Sequence, residues 1–572
     1  MAFAADRENS HLPSARDVGA HILAAATASH GRSLAFLILF SLLCFLPGFF
    51  NIPPIDRDES LFAQATKQMI ETGEYVDIRF QDEVRYKKPV GIYWLQAGAV
   101  RAAAALGTRD ATTTIWIYRV PSLFGAVGAV LMTYWAALTF ATRRTAFLAA
   151  LMLASSLALG IEARLAKTDA MLLFTIVTAM AVLGRTYMGA TVDVATRGWR
   201  DGAIFWTALA AGILLKGPLI LMVVGLAVAT LIVADRKAGW LWRLKPAIGV
   251  AWMLLLVLPW FVAIMSRAGE SFFVESVGRD LLGKLTTGQQ SHFGPPGYYL
   301  VLFWLTFWPA APLAALAAPA VWRQRREPAT RFLLAWLVPS WIVLELVMTK
   351  LPHYVLPLYP AVAILIACVI EQGALSSDRR VVRALAHWPL IGGTMLLIAL
   401  AALVYLRKQP GLPAWPFAGA SIVFAFLAWR FYAMDGAARS FLRAAVASLL
   451  LSVAVFGVLV PLLRPGFPSA WIASSVEPDC PDARFASAGY HEPSVVFLLG
   501  TETRLTDGQG AADFLRGGAC RFALIEARQE RAFVQRAEAI GLRYAAGPRV
   551  EAFNYNGGRW MTIAVYRSET PR

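Results

Sequence analysis

The sequence predicts an all-α polytopic membrane protein with a small C-terminal α/β domain outside the bilayer, and three observations predict it. Of the 572 residues, 58% are A, V, I, L, M, F, W, Y or C and 16% are charged, a make-up foreign to water-soluble folds of this length. Apolar stretches of bilayer-crossing length recur between residues 34 and 463. From residue 464 onward the apolar runs shorten to the length of strands and of one soluble helix. The same composition excludes disordered and collagen-like chains, and four cysteines are too few for a disulfide scaffold.

Apolar spans are readable at about 34–50, 116–140, 146–161, 170–184, 203–215, 218–234, 248–266, 298–319, 332–349, 354–370, 388–406, 414–429 and 444–463, thirteen in all. Residues 1–33 are polar, carry Arg7, Arg16 and Arg32, and lack an apolar core followed by a cleavage site, so they read as a cytoplasmic tail. The segment Gly91 to Leu106 is short and interrupted by Arg101, which suits a helix lying along the surface. Laying it there sends most later basic residues to the inside, among them Arg143, Arg144, Arg236, Lys237, Arg325, Arg326, Arg379 and Arg380. The net charge of +16 is then spent on anionic lipid and on phosphate ligands, with no call for nucleic acid.

This topology sends residues 51–115, the 162–169 loop, the Lys216 turn, residues 267–297, the Lys350 to His353 loop and the tail to the outer face. The first outer loop breaks the positive-inside rule with Arg57, Lys67, Arg79, Arg85, Lys87 and Lys88, an exception that a bound anion would explain. In the tail, residues 464–572, Val495 to Leu499, Arg521 to Ile525 and Trp560 to Tyr566 read as strands, Asn556-Gly557 as a turn, and Ala527 to Ile540 as a helix stopped by Gly541. Cys44 and Cys368 lie within apolar segments, whereas an oxidising compartment would allow a bridge between Cys480 and Cys520.

The polar residues of the outer face are the candidates for chemistry. Asp56, Arg57, Asp58 and Glu59 open an amphipathic helix just after the first span; a carboxylate there either works on a hydroxyl or caps the helix. Arg85-Tyr86-Lys87-Lys88-Pro89 packs three cations and an aromatic before the surface helix, a group suited to a lipid phosphate. Glu162, Arg164, Lys167 and Asp169 crowd one short loop, where charge beside hydrocarbon calls for pairing, for instance Arg164 with Asp169, or for a wet cavity. Lys216 sits in a turn between two short spans. Residues 267–297 carry Glu275, Arg279, Asp280, Lys284 and His292 in a loop long enough to close over a cavity. Lys350-Leu351-Pro352-His353-Tyr354 sets a cation, an imidazole and a phenol at the mouth of two spans, and no His/Glu pair has a zinc spacing.

Arg57-Asp58-Glu59-Ser60, Lys88-Pro89, Arg119-Val120-Pro121-Ser122, Ala163-Arg164 with Asp169-Ala170, Leu215-Lys216-Gly217 and Lys350-Leu351-Pro352-His353-Tyr354-Val355-Leu356-Pro357 occur in this order. The chain resembles the bacterial glycosyltransferase family 39 enzymes of the GT-C fold over roughly residues 34–370. Within them it is most similar to the lipid A 4-amino-4-deoxy-L-arabinose transferases, with protein O-mannosyltransferases more distant. The resemblance implies a membrane domain over 34–463, a first periplasmic loop at 51–115, a long one at 267–297 and a periplasmic domain at 464–572. It implies Asp58 and Asp169 as the acids of the reaction centre, with Glu59 beside them, and Lys88 on the polyprenyl phosphate, with Arg85 and Arg279 as further donor-phosphate contacts. Tyr354 would line the donor cavity, with Tyr86, His353, Lys350 and Glu275 around it. Relatives often carry Glu before the Lys-Pro pair and His after Glu275; Lys87 and Ser276 stand there instead, so neither a metal nor another cofactor is predicted.

The function implied is transfer of a sugar, with inversion, from a polyprenyl-phosphate donor to lipid A or another envelope glycolipid at the outer face of a bacterial inner membrane. Cations at the departing phosphate would supply the main stabilisation. A protein hydroxyl as acceptor is the runner-up. A transporter or lipid flippase is the rival from another class, disfavoured by the gathering of charge at one face rather than in mid-span.

Overall fold

The computed structural model describes residues 15–191, 198–269, 272, 294–406, 411–476, 482–554 and 557–569. Helices dominate the first four-fifths of the chain. They run as α1 (Ala15–Ala26), α2 (His30–Phe45), α3 (Asp58–Thr72), α4 (Gly91–Ala105), α5 (Ile115–Ala137), α6 (Arg143–Ala154), α7 (Leu157–Glu162) and α8 (Asp169–Thr191). There follow α9 (Trp199–Lys216), α10 (Leu219–Asp235), α11 (Pro246–Ala268), α12 (Tyr298–Thr306), α13 (Ala311–Arg323), α14 (Pro328–Leu346) and α15 (Tyr359–Glu371). The membrane part closes with α16 (Arg379–Ala386), α17 (Trp388–Leu406), α18 (Trp415–Arg430) and α19 (Tyr432–Ser452), the last continuing through a π-helical turn at Val453–Leu459.

Among the described residues seven helices are long and apolar enough to cross a bilayer: α5, α8, α11, α14, α16 with α17, α18 and the long α19 segment. The chain is therefore a multi-span helical membrane protein. Part of the expected N-terminal tail is helical, because α1 and α2 form a bent apolar pair meeting at 116°. The predicted span at 298–319 is two helices, α12 and α13. The surface segment at Gly91 is the helix α4, whose Ile92, Tyr93, Gln96, Ala97 and Val100 are buried and which is not among the seven.

Buried α8 is the central post and packs along α5, while α11 exposes most of its apolar surface. Close approach is achieved with glycine. A Cβ on Gly125 of α5 would stand 2.6 Å from the Met171 nitrogen of α8, so the two backbones touch where α8 begins. Gly91 does the same at the start of α4, where a Cβ would stand 2.8 Å from the Leu214 carbonyl oxygen near the end of α9. These two contacts bring Lys88, Asp169 and Lys216 to one end of the bundle.

The tail holds a five-stranded mixed sheet in the order β4-β3-β5-β7-β6, built from β3 (Arg484–Ala488), β4 (Arg504–Thr506), β5 (Arg521–Glu526), β6 (Tyr544–Asn554) and β7 (Arg559–Ser568). A two-stranded ribbon, β1 (Arg79–Phe80) with β2 (Glu83–Val84), lies in the first loop. On β5 the side chains alternate between two cores: Phe522 and Leu524 pack on one face with Phe485, Val550 and Ile563, and Ala523 and Ile525 pack on the other with Leu515 and Phe533. Both faces are covered, the first by α20 (Pro468–Ser475) and α21 (Pro493–Leu499), the second by α22 (Gly508–Arg516) and α23 (Ala527–Ala539). The strands at 521 and 560 and the helix from 527 follow the sequence expectation, and Gly541 leaves that helix at φ +63°. The expected strand at Val495 to Leu499 is instead helix α21. Pro493 occupies its first turn, and its apolar residues face the sheet on one side and the first loop on the other. Cys520 is disulfide-bonded, Cys44 and Cys368 are free, and Cys480 and Asn556 lie outside the described residues.

Gly125→Ala forces a methyl group into the backbone of α8. A loss of about 1–3 kcal/mol is expected, read as a lowered thermal midpoint of the detergent-solubilised chain against a Gly→Ala control at Gly98, where a Cβ meets nothing within 4 Å.

Candidate active site

The site is assembled around one buried ion pair. Arg119, on α5 and fully buried, donates from Nε to Glu59 Oε1 at 2.8 Å and from a terminal nitrogen to Glu59 Oε2 at 2.9 Å. Its remaining donors reach the carbonyls of Phe49, Ile52 and Pro53 at 2.9, 2.8 and 3.1 Å. Glu59 also accepts the backbone N–H groups of Ile55 and Ala166, each at 2.9 Å. Both partners are saturated, which is what makes a buried pair tolerable. Glu59, expected beside Asp58 in the chemistry, is thus turned inward as the tie between the first loop, α5 and the 163–168 loop.

Asp58 starts α3 and is exposed. Successive helical residues project roughly 100° apart, so one acid of the pair turns in and its neighbour turns out. The N-cap position is held by Arg57, without a side-chain capping bond, so Asp58 is not serving as the cap. Arg57 itself has φ 69° and ψ −113°, a backbone state that costs a non-glycine residue about 1–3 kcal/mol and persists where surroundings impose it. Those surroundings are the tail. Arg57 Nε lies 3.6 Å from Glu492 Oε2. Asp56, buried, accepts the Ser494 N–H and the Tyr490 hydroxyl, both at 3.2 Å.

Opposite Asp58 lies a cluster of five polar groups. Lys216, at the end of α9, is 2.5 Å from Asp169 Oδ1. Lys167 Nζ lies 3.0 Å from Glu162 Oε1 and 3.7 Å from Asp169 Oδ2. His353 stands between them, Nδ1 at 3.4 Å from Lys167 Nζ and Nε2 at 3.5 Å from Asp169 Oδ1. The Lys216 ammonium sits 5.1 Å over the Tyr354 ring. Asp58 and Lys88 lie close enough to act on this cluster, Asp58 by favouring the charge on Lys167 and Lys88 by disfavouring charge on His353.

Electrostatics follow from burial and neighbours. Burial works against the charge on Lys167, but Glu162, Asp169 and Asp58 outweigh it and hold its pKa above the ordinary value. Burial pushes His353 well below its usual range, and Lys167, Lys216 and Lys88 push the same way against Asp169, so its ring is neutral at physiological pH. Burial raises Glu162 to about 7, with Lys167 opposing. Lys88, Lys167 and Lys216 thus share this end of the bundle with Asp58, Glu162 and Asp169.

Several expected site residues take other roles. Tyr86 is buried, donates to Asp77 Oδ1 at 2.8 Å and packs on Phe272, so it braces the loop rather than lining a cavity. Lys350 is buried and donates to the Gly294 and Val347 carbonyls at 2.8 Å, tying the end of the long loop. Arg164 does not pair with Asp169; it donates to the carbonyls of Pro47, Gly160 and Cys44 and to the Ser452 hydroxyl. Arg85 donates to the Tyr93 hydroxyl at 3.1 Å and stacks over Phe62. Glu275 and Arg279 lie outside the described residues. Among the described residues no group of three or more His, Cys, Asp or Glu is arranged to hold a metal ion.

Residues 103–270, which carry Glu162, Lys167, Asp169 and Lys216, match the family described as dolichyl-phosphate-mannose-protein mannosyltransferase. The chain is 28% identical over 389 residues to an undecaprenyl phosphate-alpha-4-amino-4-deoxy-L-arabinose arabinosyl transferase of Pectobacterium carotovorum, and the match spans 65% of each chain, a little under two thirds of that relative's length. The transferase of the same name from Pseudomonas paraeruginosa is 27% identical over 446 residues, 75% of this chain and 76% of its own. The fold is that of ArnT from Cupriavidus metallidurans: its crystal structure bound to undecaprenyl phosphate superposes with a TM-score of 0.71 at 18% identity, covering 94% of this chain and 98% of that one. These comparisons bear out the resemblance drawn from the motifs, to glycosyltransferase family 39 enzymes of the lipid A aminoarabinose type.

Two outcomes are expected. Arg119→Met strands a buried carboxylate and destabilises the chain by about 3–5 kcal/mol, and Arg119→Met with Glu59→Leu recovers part of that loss in the same thermal assay. Burial, with Glu492 adding to it, raises Asp56 to about 7 from the ordinary 3.8, so between about pH 4 and 7 the folded chain binds a proton that the unfolded chain has released. Its contribution therefore favours folding at the acid end and is lost as pH rises to 7. Asp56→Asn removes this dependence, and its thermal midpoint should fall less between pH 5 and pH 8 than that of the unaltered chain.

Proposed function

We propose that the chain is an integral-membrane glycosyltransferase that moves a sugar from a polyprenyl-phosphate donor onto lipid A, with inversion, at the outer face of a bacterial inner membrane. The observation that carries this reading is the convergence of exposed Asp58 with Lys88, Lys167, Asp169 and Lys216 at one end of the bundle. The names of the Pectobacterium and Pseudomonas relatives specify the donor as undecaprenyl phosphate-linked aminoarabinose. An apolar cavity of about 350 Å³, lined by Phe174, Thr178, Ile204 and Ala208, lies further along the helices that end in Asp169 and Lys216 and has the chemistry of a prenyl chain.

In this reading the cations neutralise the departing lipid phosphate, since charge that develops in the transition state is best met by groups already in place. Lys88 is the donor-phosphate contact in this reading, with Arg85 and Arg279 as further ones. Asp58 aligns the acceptor and, where that acceptor is a hydroxyl, removes its proton. Asp169, held by Lys216 and Lys167, keeps those ammonium groups aimed. His353 and Tyr354 stand beside these groups. The thirteen spans, the cytoplasmic tail at 1–33 and the periplasmic position of residues 464–572 belong to the same reading.

The match of residues 103–270 to the protein mannosyltransferase family favours a second acceptor, a protein hydroxyl. Mass spectrometry of lipid A and of envelope proteins from cells lacking the gene separates the two: loss of one sugar mass from lipid A is expected, and loss from glycoprotein alone transfers the reading to the second acceptor. With purified chain, Asp58→Asn is expected to lower kcat by about 10²-fold or more, and Lys88→Met to lower kcat/KM for the donor. Full activity of Asp58→Asn overturns its role.

A further inference from the structure

The reading above leaves the tail without work to do, yet its contacts concentrate on the segment that carries Asp58. Helix α21 lies against α3. Lys67 donates to the Phe497 carbonyl at 3.0 Å, and Gln64 donates to the Thr501 hydroxyl at 2.8 Å. Gln81, beside the two-stranded ribbon, donates to the carbonyls of Thr501 and Thr503 at 2.9 and 2.7 Å. Thr501 donates to Glu71 at 2.7 Å. The tail thus grips both flanks of the first loop.

A second part of this grip falls on the two residues before Asp58. Asp56 is 8% exposed and receives the Ser494 N–H and the Tyr490 hydroxyl, while Tyr490 also shares a contact of 2.9 Å with the Ser469 hydroxyl. Ser469 in turn meets Ser494 at 2.5 Å. Three residues, from two tail helices and the turn before α21, form a closed polar network with one residue of the first loop. Arg57 bridges to Glu492, and Glu492 is itself held by Asn554 of β6 at 3.2 Å. Between these two anchors the backbone of Arg57 adopts its positive φ, and that turn decides the direction in which Asp58 leaves the helix start.

We propose that the C-terminal sheet and its helices are the positioning element of Asp58, acting through Asp56 and Arg57 docked on Tyr490, Glu492 and Ser494. Asp56, Arg57, Glu492, Ser494 and Tyr490 are then positioning residues, and none of them touches substrate. The inference rests on the reading of Asp58 as the acceptor-side acid. Its mechanical content is that releasing the anchor lets the Arg57 turn relax to ordinary backbone and swings the Asp58 carboxylate away, while Lys88 and the Lys167–Asp169–Lys216 group, held by α4, α8 and α9, stay in place. Turnover should suffer and donor binding should not.

The test uses the full-length chain in nanodiscs, with undecaprenyl phosphate as the binding probe and undecaprenyl phosphate-linked aminoarabinose with lipid A for turnover. Asp56→Ala and Tyr490→Phe are expected to lower kcat by about tenfold to a hundredfold, with the affinity for undecaprenyl phosphate and the donor KM unchanged within about twofold. Asp56→Asn keeps an acceptor for the Ser494 N–H and is expected to recover at least half of the lost turnover, a rescue that a merely structural role for the tail would not single out. If Asp56→Ala fails to fold, Tyr490→Phe and Glu492→Gln carry the same comparison. The proposal is overturned if kcat stays within twofold of the unaltered chain, or if kcat and lipid affinity collapse together without rescue by Asp56→Asn. Asp58→Asn in the same assay separates the two levels: an inactive Asp58→Asn beside a normal Asp56→Ala sinks only the positioning role, and an active Asp58→Asn sinks the reading of Asp58 as well.

Discussion

The pair of Arg119 and Glu59 is the constraint on which the candidate site depends. A guanidinium with no access to solvent must find a counter-charge and acceptors for its other N–H groups, and a buried carboxylate must find donors. Here each supplies the other, and the leftover valences reach the carbonyls at the end of the first helical segment and the amide of Ala166. Because the partners come from the first loop, from α5 and from the loop before α8, satisfying them leaves little choice about where Asp58 stands relative to Lys167 and Asp169. The cost of breaking the pair is high, while its net contribution to stability need not be. Its value lies in fixing one arrangement of three segments that the apolar packing of the bundle alone would let slide.

Around this tie the charges are arranged in an order that follows from dielectric. Asp169, buried at the start of α8, and Lys216, at the end of α9, are joined at 2.5 Å, as buried charge requires. Lys167 bridges Glu162 and Asp169, so that one ammonium serves two carboxylates. Asp58 and Lys87 are exposed and Lys88 is half-buried. The histidine in the middle is kept neutral by burial and by three lysines, which makes it a spacer of low charge rather than a further cation.

Some of this was legible in the order of residues and some was not. Strands β5 and β7 and helix α23 were readable because each has one clean periodicity and a stop signal. The run Val495 to Leu499 has neither: five apolar residues fit a strand or a buried helical turn equally, and Pro493 together with docking on α3 decides for the helix. Crowding of charge in the 162–169 loop and the cation in the Lys216 turn pointed to the site, although Arg164 and Asp169, neighbours in sequence, turned to different partners. Glu59 and Asp58 differ by one position and by nothing in spacing or type, so only the direction in which α3 presents them tells the anchor from the exposed acid. Tyr86 and Lys350 pose the same problem, since a loop residue beside a site and one that braces the loop look alike until their hydrogen bonds are seen.

The sequence by itself determined the class: apolar runs of bilayer length must be helical because backbone groups in hydrocarbon have no other partners, and the order of short polar motifs between them determined the resemblance. Tertiary structure decided which members of each motif meet. The glycine contacts at Gly91 and Gly125, the inward turn of Glu59 and the grip of the tail on Asp56 and Arg57 all depend on surfaces that come together from distant parts of the chain, 60 residues apart for Glu59 and Arg119 and 438 for Asp56 and Ser494. Hydrophobic periodicity is a local property that a window of residues can carry, whereas the pairing of a buried charge is settled by whichever partner the completed packing brings within about 3 Å.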